Sequence, residues 1–232
     1  MLDLQRLQRN LAQIQTRIAQ AAARAGRRPE TITLVAVTKQ VSAAVVDALL
    51  ELGVRDIGEN RVPDAQAKYR ECAKSLTARW HMIGHLQRNK VKDGLAMFAM
   101  IHSVDTVALA QEIAARTRQP VPVLLEVNVS GEESKNGFRP EQLAVAVEQL
   151  LKLKLLAIQG LMTMAPQTSN LDVCRYCFRE LAQSASRLRA RYAAELTLMH
   201  LSMGMSQDFE VAIEEGATIV RIGTALLEGV TE

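Results

Sequence analysis

Residues 196–227 read LTLMHLSMGMSQDFEVAIEEGATIVRIGTALL and hold two short apolar runs, each followed by a helix-like segment. The runs at 196–201 and 218–221 are predicted strands, and 208–215 is a predicted helix. A short last helix comes after Gly223. Neighbouring parallel strands need a crossover between them, and a helix is the usual crossover. This stretch therefore predicts an α/β protein with a parallel sheet.

The same alternation of strand and helix extends back toward the beginning of the chain. About eight β/α units in roughly 200 residues predict a single (β/α)8 TIM barrel. An open, doubly wound sheet is the alternative, because alternation alone does not show whether a sheet closes. The predicted strands are 32–37, 54–57, 80–83, 99–102, 121–129, 156–162, 196–201 and 218–221.

An amphipathic helix precedes the first predicted strand. Apolar residues recur in steps of three and four from Leu4 to Ile18, and Gly26 and Pro29 end the pattern. The leading segment, residues 1–28, is thus an extra helix in front of the barrel. No linker rich in proline or glycine interrupts the chain after residue 28, so residues 1–232 are predicted to form one domain.

The composition excludes several classes of function. The chain has 28 Lys and Arg against 25 Asp and Glu, a formal charge of +3, and 3% aromatic residues, which does not indicate nucleic-acid binding. No run is long and apolar enough for a membrane span, and the first residues lack the apolar block of a signal peptide. Three cysteines cannot all pair internally, which is typical of the reducing cytoplasm. We therefore expect a cytoplasmic protein, by default a monomer.

The loops after the last two predicted strands suggest an anion site. Binding groups of a TIM barrel gather at the C-terminal ends of its strands, and phosphate commonly binds after strands seven and eight. Ser202-Met-Gly-Met-Ser206 offers two hydroxyls and a glycine that permits close backbone approach. Gly223 and Thr224 open the last helix, whose free N–H groups favour an anion. Ordinary turns and helix caps use the same residue types, and this alternative stays open.

Lys39 lies just after the first predicted strand and is expected to face the mouth of the barrel. Burial there would lower the pKa of its amine and make it a nucleophile. A solvated lysine at the rim is the alternative, but a phosphate site across the same mouth favours the nucleophile. An amine that faces a phosphate suits a Schiff base with a phosphorylated aldehyde. Pyridoxal phosphate is the commonest such ligand, and Schiff-base aldolases are the competing chemistry.

The histidines and the cysteines are weaker candidates for the site. His85 either contacts a ligand or caps a helix. Cys174 and Cys177 lie three residues apart in a predicted helix with no second ligand pair nearby, so a metal or redox role is not favoured, and no metal site is expected. Three further histidines lie in or beside predicted strands and are interpreted as packing residues: His81, His102 and His200.

Seven motifs occur in the order and spacing of one known family: LVAVTKQ, GEN, WHMIGHLQRNK, IHSVD, SGEESKNGF, GLMTMAP and LSMGMSQDFEVAIEEGATIVRIGTA. In these motifs the chain resembles the pyridoxal phosphate homeostasis protein family. The resemblance implies a single barrel like the N-terminal domain of alanine racemase, a fold-type III barrel. It also implies that the barrel holds pyridoxal 5'-phosphate (PLP) as an internal aldimine.

Carried over by position, the resemblance implies a set of cofactor-binding residues. Lys39 resembles the lysine of the aldimine, Asn60 a residue near the ring, and Arg221 the group that faces the pyridine nitrogen. An arginine there disfavours protonation of the ring, which makes the ring a poorer electron sink. The residues that resemble phosphate ligands are Ser202, Gly223 and Thr224.

The resemblance implies a carrier or buffer in intracellular PLP homeostasis, without substrate turnover, with apo forms of PLP-dependent enzymes as recipients. Related racemases use a second domain to supply an opposing base, for which 232 residues leave no room. The alternatives are a racemase or decarboxylase completed by a partner chain, and an aldolase that uses Lys39 without a cofactor. Pro63, Asp64 and Thr106 depart from the family's pattern, which puts contacts at the rim of the ring in doubt.

Overall fold

The computed structural model describes residues 2–230, within which eight parallel strands close into one barrel surrounded by helices. The strands are β1 (Thr33–Val37), β2 (Asp56–Glu59), β3 (Arg79–Met82), β4 (Met100–Val104), β5 (Val121–Glu126), β6 (Leu156–Met162), β7 (His200–Ser202) and β8 (Ile219–Ile222). The α-helices of the described residues are α1 (Leu4–Arg24), α2 (Ala43–Glu51), α3 (Val62–Glu71), α4 (Val91–Leu95), α5 (Val107–Arg116), α6 (Leu143–Leu150), α7 (Leu171–Arg191), α8 (Phe209–Glu214) and α9 (Thr224–Leu227).

Closure of the sheet is shown by the pairing of its first strand. β1 pairs in parallel with β2, where Val35 lies opposite Asp56, and with β8, where Ala36 lies opposite Ile222. An open sheet would leave its two outer strands unpaired on one side. The prediction of a (β/α)8 barrel is therefore confirmed, and the doubly wound alternative is wrong.

Two predicted strands lie elsewhere than expected. The prediction placed the seventh strand at 196–201, but Leu196 N donates to Tyr192 O at 2.8 Å and Leu198 has φ +42°, so the chain is still turning there. The second strand begins two residues later than predicted, because the Val54 N–H still donates to Leu49 O at the end of α2. Both shifts move polar residues that were expected in loops into the sheet.

The leading helix packs as its apolar pattern predicts. Leu7, Leu11, Ile14 and Ile18 are buried, and Leu4 is exposed. Asp3 caps the helix by accepting a hydrogen bond from Arg6 N at 2.8 Å. The side chains of α1 also pair with those of α8, with Arg17 3.1 Å from Glu210 and Arg24 2.7 Å from Glu214. The leading helix thus lies against the end of the barrel wall that carries β8.

The interior of the barrel is filled by side chains. A small apolar cluster from five strands lies there, separate from the larger core between strands and helices, and consists of Val35, Met100, Leu124, Met162 and Ile219. Among residues 2–230 no helix combines the length and the apolar character that crossing a membrane requires.

Candidate functional site

The start of α9 lies directly beside the end of β1. A Cβ atom added to Gly223 would stand 3.2 Å from both the Cβ and the carbonyl oxygen of Val37. Lys39 is two residues beyond Val37 in the chain. The barrel therefore brings Lys39 and Gly223, which are 184 positions apart in the chain, to neighbouring places at the same mouth.

Lys39 is exposed in the structure, so the expectation that it is buried is wrong. The preceding residue, Thr38, takes the buried position instead: its N–H donates to Gly58 O at 3.1 Å, and its hydroxyl donates to Glu59 at 2.5 Å. Lys39 has no ion pair with any residue from 2 to 230. Its amine is therefore accessible to a ligand from solvent.

A second lysine lies behind the end of β1 in a buried ion pair that the sequence reading missed. Lys68 Nζ lies 2.8 Å from Glu59 Oε1 and also donates to the backbone carbonyl of Thr38. The other carboxyl oxygen, Glu59 Oε2, is buried and has no hydrogen-bond partner among the described residues. Since Glu59 was expected in a loop, its burial inside β2 gave no signal in the sequence.

Asn60 comes directly after β2 and helps to line a cavity of about 520 Å³ at the mouth. Its backbone is in close contact with Gly84, where an added Cβ would come 2.5 Å from Asn60 O. The cavity also contacts His85, Met82 and Pro63. Pro63, one of the departures from the family's pattern, thus lies at the rim. Thr106, another departure, caps α5 by accepting from Leu109 N at 3.2 Å.

The loop after β7 folds over the start of α9. Ser206 accepts a hydrogen bond from Ala225 N at 3.2 Å. Gly204 has φ +92°, and a Cβ there would lie 2.6 Å from the Cβ of Ala212, so the tight turn requires glycine. The N–H groups of Gly223 and Thr224 make no hydrogen bond within residues 2–230. Two backbone donors and a hydroxyl therefore meet at this mouth.

Ser202 occupies a different place from Ser206. It is fully buried, and its hydroxyl accepts from Arg221 Nη1 at 2.6 Å and lies 2.9 Å from His102 Nδ1. The structure places the Ser202 hydroxyl beside Arg221 and His102, whereas the resemblance implied a phosphate ligand at the start of α9. Ser206 is the hydroxyl at that position. Both serines belong to the quoted loop, and the strand register decides between them.

Arg221 is a buried cation at the centre of the barrel. Its Nη2 donates to Thr163 O at 3.0 Å, in addition to the bond to Ser202. Burial lowers the pKa of Arg221 to about 10, while the carboxylates of Glu126 and Asp208 act in the opposite direction. At neutral pH the guanidinium therefore stays charged and can only donate hydrogen bonds.

Glu126, the last residue of β5, is a buried carboxyl that the sequence reading missed. It is 4% exposed, and its side chain makes no hydrogen bond within residues 2–230. Burial and the neighbouring Asp105 raise its pKa to about 7, against the opposing effect of Arg221 and His85. The apolar residues around it in the sequence, VPVLLEVNV, indicate a strand and hide the carboxyl's position at the mouth.

His85 lies at the same mouth, with Nδ1 2.8 Å from Asp105 Oδ2 and its ring half exposed to solvent. The other histidines and the cysteines are buried or half-buried. Cys174 and Cys177 are buried and unpaired, and burial raises the pKa of each thiol. No group of three or more His, Cys, Asp or Glu side chains within residues 2–230 is arranged to hold a metal ion.

This barrel, with an exposed lysine and two unbonded backbone N–H groups at one mouth, is of the alanine racemase N-terminal domain class. The model of that domain family matches residues 2–229. Within this class the chain belongs to the pyridoxal phosphate homeostasis protein family. It is 44% identical over 219 residues to the Pyridoxal phosphate homeostasis protein of Aquifex aeolicus, covering 93% of this chain and 95% of that one. The Escherichia coli K12 protein of the same name is 37% identical over 226 residues, 94% of each chain.

Solved structures show the same architecture. PipY of Synechococcus elongatus, solved with PLP bound, superposes with a TM-score of 0.80 at 35% identity, over 90% of this chain and 99% of that one. An alanine racemase of Clostridium difficile superposes with a TM-score of 0.74 at 17% identity, over 100% of this chain and 60% of that chain, and shows the shared fold alone.

Proposed function

We propose that this chain binds PLP at the mouth of the barrel, with the cofactor's aldehyde at Lys39 and its phosphate at the loop after β8. The observation that carries the proposal is the contact of Gly223 with the end of β1, which brings the chain at the exposed Lys39 near two unbonded backbone N–H groups. PipY with PLP bound, at 35% identity, and the name of the curated relatives support it.

The residues present fit the chemical groups of this cofactor. Ser206 and the N–H groups of Gly223 and Thr224 offer donors to a phosphate without a buried cation at the same point. Asn60 lines the cavity in which the ring would lie. Arg221 offers only donors, so a ring nitrogen beside it would accept a hydrogen bond and carry no proton. PLP supplies an aldehyde that condenses with amines and a ring that withdraws electrons.

The role we propose is that of a carrier or buffer in PLP homeostasis, without substrate turnover. A pyridine ring without a proton on its nitrogen withdraws electrons less strongly, and Arg221 favours this unprotonated form. The tyrosines, which could supply a phenolic base, lie on the helical layer: Tyr69 packs against Trp80, and the Tyr192 hydroxyl donates to Ala144 O at 3.1 Å. We further propose one domain over residues 1–232, a cytoplasmic monomer, and apo PLP-dependent enzymes as recipients.

The absorbance spectrum before and after borohydride reduction tests the proposal. The purified protein, reconstituted with PLP, should be yellow, and reduction should fix a pyridoxyl group on Lys39, identified by peptide mapping. A colourless protein without a pyridoxyl peptide would overturn cofactor binding and favour the aldolase alternative. Racemisation or decarboxylation of amino acids at ordinary enzyme rates would overturn the carrier role and leave cofactor binding in place.

A further inference from the structure

A continuous hydrogen-bonded chain crosses the interior of the barrel behind the proposed cofactor site. We call it the interior chain; its members are Asp56, His81, His102, Ser202 and Arg221. All five are buried, at 6%, 5%, 0%, 0% and 4% exposure respectively. The chain joins five different strands, β2, β3, β4, β7 and β8. Sequence reading interpreted its two histidines as packing residues, since nothing in their spacing brings them to Ser202.

Every link has hydrogen-bond length. His81 Nε2 lies 2.9 Å from Asp56 Oδ1, and His81 Nδ1 lies 3.0 Å from His102 Nε2. His102 Nδ1 lies 2.9 Å from the Ser202 hydroxyl, which lies 2.6 Å from Arg221 Nη1. The two imidazole rings stand nearly perpendicular, at 87°, so their nitrogens meet edge to edge without stacking. Each of the two rings therefore uses both of its nitrogens within the chain.

Hydrogen-bond chemistry fixes the direction of all four links. A guanidinium has donors only and a carboxylate has acceptors only. With one proton on each imidazole, a single arrangement satisfies all four links: Arg221 donates to Ser202, and the Ser202 hydroxyl donates to His102 Nδ1. His102 must then carry its proton on Nε2 and donate to His81 Nδ1. His81 in turn carries its proton on Nε2 and donates to the carboxylate of Asp56. In this arrangement both imidazoles are neutral, and the chain is polarised from the Arg221 cation to the Asp56 anion.

The electrostatic surroundings support this arrangement. Burial alone would raise the pKa of Asp56, but hydrogen bonds from His81 and Arg79 hold it below its usual value, so the carboxylate stays charged. Arg79 holds that carboxylate with two bonds, of 2.8 and 2.6 Å, and is itself largely exposed. Burial lowers the pKa of His102 far below its usual value, and the neighbouring Arg221 cation acts in the same direction. An imidazolium at His102 is therefore strongly disfavoured.

We propose that Asp56, His81, His102 and Ser202 are positioning residues for Arg221. They orient its guanidinium and join it through successive hydrogen bonds to Arg79. Asp56 and Arg79 lie at the N-terminal ends of β2 and β3. This inference rests on the proposed function in one respect, namely that Arg221 faces the cofactor. The other titratable groups near the chain are His200 on β7 and the carboxyl groups of Glu126 and Asp208 beside Arg221. None of these three forms a link of the chain.

The first test uses the protein without cofactor, so that its result is independent of PLP binding. Long-range 1H–15N correlation spectra report which nitrogen of each histidine carries the proton. We expect His81 and His102 to be Nε2–H tautomers, and His102 to stay neutral from about pH 6 to pH 8, where an unperturbed histidine titrates. An Nδ1–H tautomer at either residue, or an imidazolium at His102 in this range, would overturn the inference.

The second test breaks the chain at the end that His102 and Ser202 separate from Arg221. His81→Leu removes both of its links, and Asp56→Asn keeps an acceptor for His81 but removes the charge. We expect the PLP dissociation constant to rise about fivefold in His81→Leu, the equivalent of one hydrogen bond, with a shifted absorbance maximum of the bound cofactor. Asp56→Asn should keep both tautomers and shift the maximum less. His200→Gln, a histidine outside the chain, is the matched control and should change neither.

The outcomes separate the two proposals. A cofactor-free protein with the expected tautomers that never binds PLP would overturn the proposed function and leave the chain itself in place. A yellow protein whose spectrum and PLP affinity are the same in His81→Leu and in the unchanged chain would overturn the positioning role. If His81→Leu does not fold, His102→Gln interrupts the same chain with a polar side chain, and an unchanged spectrum in that variant would overturn the positioning role equally.

Discussion

Arg221 donates from Nη1 to the hydroxyl of Ser202 at 2.6 Å, although the resemblance implied opposite ends of the cofactor for these two residues. The guanidinium was expected at the ring nitrogen and the hydroxyl at the phosphate. Because the Ser202 hydroxyl is fully buried and this close to a buried guanidinium, we propose that it orients Arg221. The hydroxyl near the start of α9 is that of Ser206, which accepts from Ala225 N at 3.2 Å.

Ser206→Ala should therefore weaken phosphate recognition more than Ser202→Ala does. We expect the PLP dissociation constant to rise about tenfold in Ser206→Ala, as for the loss of a hydrogen bond to a charged group, and likewise in Thr224→Ala. Pyridoxal, which lacks the phosphate, should bind equally to Ser206→Ala and to the unchanged chain. Titration by absorbance with both ligands measures this, and a Ser202→Ala variant that selectively loses PLP over pyridoxal would restore Ser202 as the phosphate ligand.

Lys39→Ala should abolish covalent trapping of the cofactor. Lys39 is exposed and lies two residues beyond Val37, which Gly223 contacts, whereas Lys68 is held by Glu59 at 2.8 Å. After incubation with PLP and borohydride, mass spectrometry of peptides should find no stoichiometric pyridoxyl group in Lys39→Ala. Lys92→Ala, which removes an exposed lysine on α4, is the control and should be labelled as fully as the unchanged chain. Full labelling of Lys39→Ala at Lys68 would show that Lys68, and not Lys39, is the reacting lysine.

Lys68→Met should destabilise the fold because it leaves the carboxylate of Glu59 buried without its cation. The side chains of Lys68 and Glu59 are 11% and 1% exposed, so solvent cannot replace the lost partner. Breaking a buried ion pair on one side costs about 3–5 kcal/mol. Urea unfolding followed by circular dichroism should show this loss. The double variant Lys68→Met, Glu59→Gln should recover a large part of it; equal instability of the single and double variants would contradict the account.

Glu126 should make the protein less stable as the pH rises through neutrality. Burial and Asp105 raise its pKa from 4.5 to about 7 in the folded chain, so the folded state binds a proton that the unfolded state releases. The stabilisation is complete below pH 4.5 and is lost as the pH rises through 7, by about 3 kcal/mol for a shift of this size. The difference in free energy of unfolding between the unchanged chain and Glu126→Gln, measured from pH 5 to pH 8, should change in the same way. A difference that does not change with pH would show that the carboxyl titrates normally.

The sequence predicted the local architecture because the relevant signals are local. Strand β6 was predicted with its observed bounds, Leu156–Met162, from one apolar run between turns. The buried stripe from Leu7 to Ile18 results from helical periodicity alone. Where the backbone does not match the apolar pattern, at Leu198 with its positive φ, the prediction of the seventh strand was wrong.

The sequence by itself determined the succession of strands and helices, the apolar faces of those elements, and the motifs that define the family. Only the tertiary structure decided which side chains meet across the barrel. His102 and Ser202 are 100 positions apart, yet they lie 2.9 Å from each other because the register of β4 and β7 turns both toward the interior. Register depends on the pairing of all eight strands around the closed sheet, and a linear pattern of apolar residues does not contain that information.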